Sequence, residues 1–240
     1  MPKAHVIANP SHDLLSIIVP VFNERRTVRA VIDRLLTIDL PVAREIVVVD
    51  DGSTDGTREE LARAVGLGAA FTFVEAERNE GKGSAIRKGL SRVSGSIVAI
   101  QDADLELDPQ QLARLVEPIL RGDTQVVYGS RFMNGAPKAP WITVAANRVL
   151  TGVTNVLYRV SLTDMETCYK IMRTDVARSL DLRASRFDIE PEITARLLKR
   201  GYRILELPVR FDARSRAQGK KVKWRDGLHA LRMLVQERFR

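Results

Sequence analysis

The 240-residue sequence predicts an α/β fold with a mainly parallel central sheet flanked by helices. Short apolar runs rich in Val and Ile are bounded by turn residues, which is typical of strands buried on both faces of a parallel sheet. Helical patterns lie between these runs, and strand alternating with helix indicates βαβ units. The composition, with 45% hydrophobic and 28% charged residues, is that of a globular protein and excludes a disordered chain.

Five apolar runs are predicted to be the first strands of the sheet. They span residues 15–21, 45–50, 71–74, 96–101 and 125–129. Residues 202–207 and 209–211 are also strand-like and are separated by Pro208. No internal repeat and no low-complexity linker interrupts this order, so we expect one domain.

Helices are predicted between these strands and after them. Apolar residues from Val28 to Leu36 keep helical spacing, and Thr54 is predicted to N-cap the next helix. Pro109 suits the first turn of a helix that reaches Leu120. Further helices are expected over 85–93, 139–158, 190–200 and 224–239. The last of these is basic and amphipathic, which suits either an anionic membrane surface or docking onto the core.

The positive charge is concentrated at the C-terminal end. The chain has a net charge of +8, whereas residues 196–240 carry 14 Lys and Arg against 4 Asp and Glu, a balance of +10 that leaves −2 for the rest. A nucleic acid, an anionic membrane surface or an anionic substrate would each match such a segment. We expect a disordered tail over 1–13, a folded domain over 14–213, and a basic loop with the amphipathic helix over 214–240.

The single cysteine, Cys168, excludes an internal disulfide and fits a reducing cytosol. No apolar run reaches the roughly 18–20 residues that a membrane-spanning helix needs. The first 13 residues also lack an apolar stretch of signal-peptide length. These features predict a cytoplasmic location.

Acidic and polar residues follow three of the predicted strands. The first strand leads into Phe22 and Glu24, the second ends in Asp50 and Asp51, and the fourth is followed by the 102–106 segment. Because ligands bind at the carboxyl ends of the strands in an open parallel sheet, these ends predict one convergent anionic site. Ordinary turn and cap chemistry is the alternative for any one of them.

The Asp102-Ala103-Asp104 segment predicts a metal site. Adjacent carboxylates repel each other unless a cation lies between them, and hard oxygen ligands suit Mg²⁺ or Mn²⁺. Glu106 is a third candidate ligand. A divalent ion held by one or two carboxylates keeps positions open for substrate phosphates, so the segment indicates a metal with a diphosphate.

The turn at Gly81-Lys82-Gly83-Ser84 precedes a predicted helix but is not a P-loop. Position 76 is Ala and Lys82 is followed by Gly, so the G-x-x-x-x-G-K-[ST] pattern fails. No G-x-G-x-x-G follows a strand, which removes the dinucleotide-binding fingerprint. The loop can still bring backbone N–H groups and one cation to an anionic ligand.

Five motifs together resemble a known family. They lie at residues 19–24, 49–57, 79–83, 102–104 and 129–131. In this combination and order they resemble the family 2 inverting glycosyltransferases of GT-A fold, a Rossmann-like fold of nucleotide-diphospho-sugar transferases. Within that family the chain looks like the dolichol-phosphate or polyprenyl-phosphate mannose synthase branch, and the resemblance runs from about Leu15 to the end.

The resemblance implies roles for individual residues. Positions that hold the nucleotide of the donor match Pro20, Phe22, Glu24, Asp50, Asp51 and Lys82. Positions of the metal and diphosphate motif match Asp102, Ala103 and Asp104, with Glu106 where the branch often has Gln. Arg131 matches an arginine near the acceptor phosphate, and Arg214 with Lys220 matches the basic loop that closes over the donor diphosphate. The 164–170 segment, DMETCYK, departs from the more usual D-x-x-S-G-F.

The expected chemistry needs no strong general base. A phosphate monoester is already ionised near neutral pH, because its second pKa is about 6. Catalysis would then come from positioning and electrostatics. Asp102 and Asp104, through the metal, would stabilise the departing diphosphate. Arg131 and Arg148 would hold the acceptor phosphate. Glu190 is either a base for a hydroxyl acceptor or an acid that favours the start of a helix.

The leading interpretation is therefore a metal-dependent inverting glycosyltransferase. Its donor would be GDP-mannose, a UDP-hexose or a UDP-N-acetylhexosamine, and its acceptor a polyprenyl (dolichyl-type) phosphate. We expect it to be peripheral at the cytoplasmic face of the membrane, with a small membrane-protein partner as an option. Transfer to a hydroxyl in polysaccharide or glycolipid synthesis is the alternative. Nucleic-acid binding comes last, because the first 195 residues are nearly neutral and carry no recognition motif.

Overall fold

A computed structural model describes residues 13–214 and 224–240, together with all side chains in these ranges except those of residues 224–226. The strands are β1 (Leu14–Val21), β2 (Ala43–Asp50), β3 (Thr72–Glu75), β4 (Ile97–Ile100), β5 (Val126–Ser130), β6 (Lys170–Arg173) and β7 (Leu205–Pro208). The helices are α1 (Val28–Thr37), α2 (Thr57–Gly66), α3 (Lys82–Leu90), α4 (Leu112–Leu120), α5 (Trp141–Tyr158), α6 (Thr174–Ser179), α7 (Ile189–Lys199) and α8 (Trp224–Phe239). A short 3₁₀ turn at Pro109–Gln111 leads into α4. The predicted N-terminal tail, apart from Asp13, and Lys220 of the basic loop lie outside the described residues.

The seven strands form one sheet in the order β3-β2-β1-β4-β6-β5-β7. Every pairing is parallel except those of β6, which runs antiparallel to both β4 and β5. The predicted α/β class, with a mainly parallel sheet flanked by helices, is therefore confirmed. Strand β6 and helix α6 were not predicted from the sequence, since the four residues of β6 carry two basic side chains and no apolar run.

Two local predictions were wrong, both because of single residues with special backbone properties. Helix α2 begins at Thr57 after Gly56, whose φ of 93° places it in the left-handed region, so Thr54 is not the N-cap. The expected pair of strands around Pro208 is one strand that contains it. Because β7 is the last strand of the sheet, its outer edge needs no N–H donor, and proline is tolerated there.

The core lies on both faces of the parallel strands. Buried Ile and Val side chains of β1, β2 and β4 pack against the apolar sides of α1, α3 and α4. In register, Val21 of β1 pairs with Asp50 of β2, and Ile18 of β1 pairs with Ile100 of β4. The polar residues that follow these three strands therefore emerge at one edge of the sheet, as predicted.

The C-terminal helix packs onto the domain through one side. Ala230 and Leu234 of α8 form a small buried cluster with Leu150 of α5 and Ala195 of α7. Among the elements that the structure describes, no helix is long and apolar enough to cross a membrane. The docking interpretation of the last helix is thus correct for this side, while its other side remains exposed.

Candidate active site

Asp50 and Asp51, at the end of β2, are both buried and hold neighbouring backbone in place. Asp51 accepts hydrogen bonds from Asn79 Nδ2 at 2.9 Å, from the Glu80 amide at 3.0 Å and from the Gly81 amide at 2.7 Å. Burial raises the pKa of Asp51, and the two backbone N–H groups oppose that rise. Asp50 pairs with Arg58 Nε at 3.1 Å. The two carboxylates therefore shape the loops around the edge of the sheet.

The turn after Asp51 depends on glycine. Gly52 has a φ of 73°, and a Cβ on this residue would overlap the backbone of Arg78 and Asn79. Only glycine satisfies both the left-handed backbone and the close approach of the two chains. The β2 end and the loop before α3 are thereby brought into direct contact.

Glu24 faces a cation from the far end of the chain. Its carboxylate accepts hydrogen bonds from both terminal nitrogens of Arg214, at 2.8 Å and 3.0 Å, and from Thr27 Oγ1 at 2.9 Å. The Glu24 amide donates to Thr57 Oγ1 at 2.9 Å, which fixes the segment after β1 to the start of α2. Pro20 and Phe22, the other predicted nucleotide contacts of this segment, are partly buried.

Lys82 joins two carboxylates from distant parts of the sequence. Its Nζ lies 2.8 Å from Asp102 Oδ1 and 3.0 Å from Glu190 Oε1. Burial alone would lower the pKa of Lys82, but the negative charges around it, chiefly that of Asp102, raise this pKa well above its ordinary value. Lys82 is thus a charged ammonium at the carboxyl edge of β4.

Asp104 is paired with Arg214, and its environment favours a cation. Arg214 Nη2 lies 3.0 Å from Asp104 Oδ2, and the Arg214 amide donates to Glu106 Oε1 at 2.7 Å. Burial and the charges of Asp102 and Glu106 raise the pKa of Asp104 to about 7, although Arg214 opposes the rise. Ala103, between the two aspartates, points into the core.

The three predicted metal ligands do not form a ready-made ligand cluster. Within the described parts of the chain, no group of three or more His, Cys, Asp or Glu side chains is arranged to hold a metal ion. Asp102 and Asp104 instead face Lys82 and Arg214. The mutual repulsion of these carboxylates nevertheless fits a hard divalent cation, which needs only one or two of them.

Arg131 is held in place by a buried aspartate. Its Nε and Nη2 lie 2.7 Å and 2.8 Å from the two oxygens of Asp164, and its guanidinium lies over the ring of Phe211 at 5.1 Å from the centroid. Burial would lower the pKa of Arg131, but Asp164 raises it above its ordinary value. Asn147 Nδ2 also donates to Asp164, at 2.9 Å. Arg148, the second predicted acceptor contact, is exposed on α5.

Lys170 is a buried charge that the sequence analysis did not identify as part of the site. Its Nζ donates to the carbonyl oxygens of Met165 at 2.7 Å and Thr167 at 2.8 Å. It also lies 3.3 Å from Glu190 Oε2 and 4.2 Å from the ring centroid of Tyr128. Glu190 is in the first turn of α7, as predicted, but it lies between two lysines. The unusual 164–170 segment was the only signal available in the sequence.

Residues 16–181 match the family described as "Glycosyl transferase family 2". This match covers more than half of the chain and includes the strand ends that carry Glu24, Asp51, Asp102 and Arg131.

Three curated relatives are named for transfer to polyprenyl phosphates. The chain is 29% identical to the dodecaprenyl-phosphate galacturonate synthase of Rhizobium johnstonii, over 86% of this chain and 61% of that protein. It is 27% identical to the dolichol-phosphate mannosyltransferase of Pyrococcus furiosus, with coverage of 86% and 58%. For the undecaprenyl-phosphate mannosyltransferase of Micrococcus luteus the identity is 28%, with 85% of each chain covered. The chain thus spans about three-fifths of the length of the first two relatives.

Among solved structures, the chain is similar to glucosyl-3-phosphoglycerate synthase of Mycobacterium tuberculosis, crystallised with UDP. The TM-score is 0.74 at 22% identity, and the match covers 95% of this chain and 81% of that one. At 22% sequence identity, this similarity shows only that the two proteins share a fold, which is the GT-A fold. With this fold, with the acidic strand ends at one edge of its sheet and with the family match, the chain belongs to glycosyltransferase family 2.

Proposed function

We propose that this glycosyltransferase moves a sugar from a nucleotide-sugar donor to a polyprenyl phosphate, with inversion at the anomeric carbon. The observation that carries the proposal is the meeting of the strand-end carboxylates Asp102 and Asp104 with Lys82 and Arg214 at the carboxyl edge of the sheet. The names of the three relatives support a polyprenyl phosphate as the acceptor.

The donor diphosphate is expected to lie among these charges. The Lys82 ammonium pairs with Asp102 and the Arg214 guanidinium pairs with Asp104, and each can exchange a carboxylate for a phosphate oxygen. Phe22, Glu24 and the loops shaped by Asp50 and Asp51 would hold the nucleoside. Lys220 would add a further cation from the basic loop. The charge that develops on the departing diphosphate is thereby stabilised.

The carboxylates of Asp102 and Asp104 would hold Mg²⁺ or Mn²⁺, with Glu106 as a third candidate ligand. When bound, the metal acts as a Lewis acid that neutralises the negative charge of the leaving nucleoside diphosphate. The residues themselves contribute the hard oxygen ligands and, through Lys82 and Arg214, a balance of charge around the site.

The acceptor phosphate is expected to bind at Arg131, assisted by Arg148. Two hydrogen bonds to Asp164 fix the guanidinium of Arg131, so the orientation of Arg131 is set before the acceptor binds. A phosphate oxygen then attacks the anomeric carbon opposite the bond to the diphosphate, and the nucleoside diphosphate leaves with the electrons of that bond. Because the phosphate oxygen is already ionised, no proton has to be removed.

Transfer to a hydroxyl is the second candidate, and it would need Glu190 as a base. Both carboxylate oxygens of Glu190 face lysine ammonium groups, at 3.0 Å and 3.3 Å. A general base must lie within hydrogen-bond reach of the proton that it removes, whereas both oxygens of Glu190 are buried. The pairing of Glu190 with Lys82 and Lys170 therefore favours a phosphate acceptor over a hydroxyl acceptor.

A polyprenyl phosphate is a membrane lipid, so the enzyme must meet it at a membrane surface. Nucleotide sugars are cytosolic metabolites, which places the encounter at the cytoplasmic face. Nucleic acid has no role in the proposed reaction.

The proposal is tested with purified protein, polyprenyl phosphate in detergent, Mn²⁺ or Mg²⁺, and a panel of radiolabelled GDP- and UDP-sugars. We expect one donor to give an organic-extractable product whose sugar is released by mild acid, as a glycosyl phosphate requires. Asp104→Asn serves as the inactive control. Absence of such a product with every donor, or a product stable to mild acid, would contradict the proposal.

A further inference from the structure

Helices α5 and α8 expose large apolar side chains to solvent. The α5–α8 face, as we define it, comprises Trp141, Ile142, Val149 and Val156 of α5 and Leu228, Leu231, Val235 and Phe239 of α8. Trp141, Val156 and Phe239 are 77%, 80% and 79% exposed. A monomeric protein rarely leaves a continuous apolar surface in water, and such a surface marks an interaction site.

The exposed apolar side of α5 lies opposite its packed side. The buried residues of this helix are Asn147, Leu150, Thr151 and Thr154. At about 100° per residue, Trp141, Val149 and Val156 project from the other side of the helix. An ordinary surface helix carries charged residues there, whereas here three of the four buried residues are polar and several large apolar side chains are exposed.

Helix α8 packs beside α5 and also exposes apolar side chains. It packs through Ala230, Leu234 and Glu237 and exposes a stripe at spacings of three and four residues from Leu228 to Phe239. The Tyr158 hydroxyl of α5 donates to the Leu234 carbonyl at 2.9 Å, and Arg238 Nε donates to the Leu157 carbonyl at 2.9 Å. These bonds hold the two helices together as one unit.

The charges around this face are positive. Residues 141–158 include no Asp or Glu, and the only charged residue of α5 is the exposed Arg148. On α8, Arg232 and Arg238 are exposed, as is Arg240 just beyond it. Among the described side chains of the two helices, the one acid is Glu237, which is buried and paired with Arg196 at 3.2 Å and with Arg240 at 3.4 Å, so Arg148, Arg232 and Arg238 carry the positive charge.

We propose that the α5–α8 face docks onto an anionic lipid bilayer. The apolar side chains enter the boundary between headgroups and acyl chains, and the arginines at its rim contact lipid phosphates. A second copy of the chain fits less well, because a symmetric contact would bring the same arginines of both copies together without carboxylates between them. The proposal rests on the proposed function, since a lipid-linked acceptor explains why apolar side chains of these two helices face outward.

The same helix reaches the candidate active site with its other side. Asn147 of α5 donates to Asp164, the partner of Arg131, and the Met165 amide donates to Thr151 Oγ1 at 3.1 Å. A helix with its side chains is about 10–12 Å across. A bilayer under the exposed side of α5 therefore places its headgroups within reach of Arg131.

Docking is tested by co-sedimentation with vesicles of phosphatidylcholine, with and without phosphatidylglycerol. The wild-type chain should bind the anionic vesicles, and added salt should weaken the binding. The double variant Val149→Asp/Val156→Asp should bind about tenfold or more weakly, since each change puts a charge where an apolar side chain entered the lipid. Leu67→Asp, at a side chain 74% exposed beyond the end of α2, is the matched control and should bind like wild type.

Transfer to a short, water-soluble prenyl phosphate separates docking from catalysis. The double variant should keep wild-type activity on this acceptor and lose activity on vesicle-bound polyprenyl phosphate. The docking proposal would be overturned if the wild-type protein did not bind anionic vesicles, or if the double variant bound them as well as the wild type does. So would gel filtration in which wild type is a dimer and the double variant a monomer. Vesicle binding without transfer to any prenyl phosphate would refute the proposed function alone.

Discussion

Lys170 and Glu190 form an ion pair inside the protein, with Nζ and Oε2 3.3 Å apart and the side chains 0% and 5% exposed. Glu190 is paired in turn with Lys82, which holds Asp102. Four alternating charges thus run from the core to the edge of the sheet where the donor is expected. The position of the Lys82 ammonium group therefore depends on the buried pair of Glu190 and Lys170.

Replacing Lys170 by Met should strongly destabilise the fold. Removing Lys170 leaves the buried Glu190 with Lys82 as its remaining partner, and breaking a buried ion pair costs about 3–5 kcal/mol. Urea denaturation followed by circular dichroism measures the change. The double variant Lys170→Met/Glu190→Gln should recover part of the lost stability, because both charges of the pair are then removed together. If the losses of Lys170→Met and of Glu190→Gln, each measured alone, add up to the loss of the double variant, the pair is not coupled.

Replacing Arg131 by Lys should impair the use of the acceptor and leave the donor unaffected. Lysine cannot reproduce the two parallel hydrogen bonds to Asp164, so the cation loses its fixed orientation. We expect kcat/KM for polyprenyl phosphate to fall by about 100-fold, which corresponds to roughly 2.7 kcal/mol. Steady-state kinetics with each substrate varied in turn provides the measurement. Arg148→Gln is the control and should have a smaller effect, because Arg148 is exposed. A matching rise in the KM for the donor would argue against an acceptor role for Arg131.

Glu166 should make stability depend on pH. Burial raises its pKa to about 7, against an ordinary value of 4.5. Between these values the unfolded chain releases the proton while the folded chain keeps it, so ionisation favours unfolding. The contribution of Glu166 to the free energy of unfolding is fully present below about pH 4.5 and is lost as the pH rises through 7.

The variant Glu166→Gln tests this dependence, because its side chain cannot ionise. Denaturation midpoints in urea at pH 5 and pH 8 should differ less for the variant than for wild type. The variant should also be the more stable of the two at pH 8. Parallel pH profiles for the two proteins would mean that Glu166 titrates at its ordinary pKa in the fold.

Replacing Gly52 by Ala should damage the edge of the sheet, whereas Gly66→Ala should not. A methyl group on Gly52 meets the backbone of Arg78 at a φ of 73°, and both problems cost free energy. We expect a loss of more than about 1 kcal/mol in stability together with weaker nucleotide binding. Around Gly66, at the end of α2, nothing lies within 4 Å, so alanine should be neutral or stabilising there. Thermal unfolding and nucleotide titration of both variants decide the matter.

The parts of the fold that could be predicted from the sequence are those in which neighbouring residues carry the signal. Strands β1, β2 and β4 are apolar runs, and their polar ends come directly after them, so the shared edge follows from the parallel order. Strand β6 was missed because its pairing with β4 and β5, and not its own hydropathy, makes it a strand.

The partners of the site residues could not be predicted in the same way. Asp164 lies 33 residues after Arg131, and Arg214 lies 190 residues after Glu24, so no local pattern connects them. Lys170 looks like a surface residue in the sequence and is fully buried in the fold. Such pairs depend on how loops from different strands meet, which tertiary packing decides.

The pairing of Arg214 with Glu24 and Asp104 also has an electrical consequence. Although Arg214 opposes the effect, burial and the charges of Asp102 and Glu106 raise the pKa of Asp104 to about 7, so negative charge is crowded at this segment. A divalent cation beside these carboxylates would relieve the repulsion, whereas a bare diphosphate would add to it. We therefore expect the sugar nucleotide to be admitted as its metal complex, with the enzyme discriminating against the bare anion by charge repulsion.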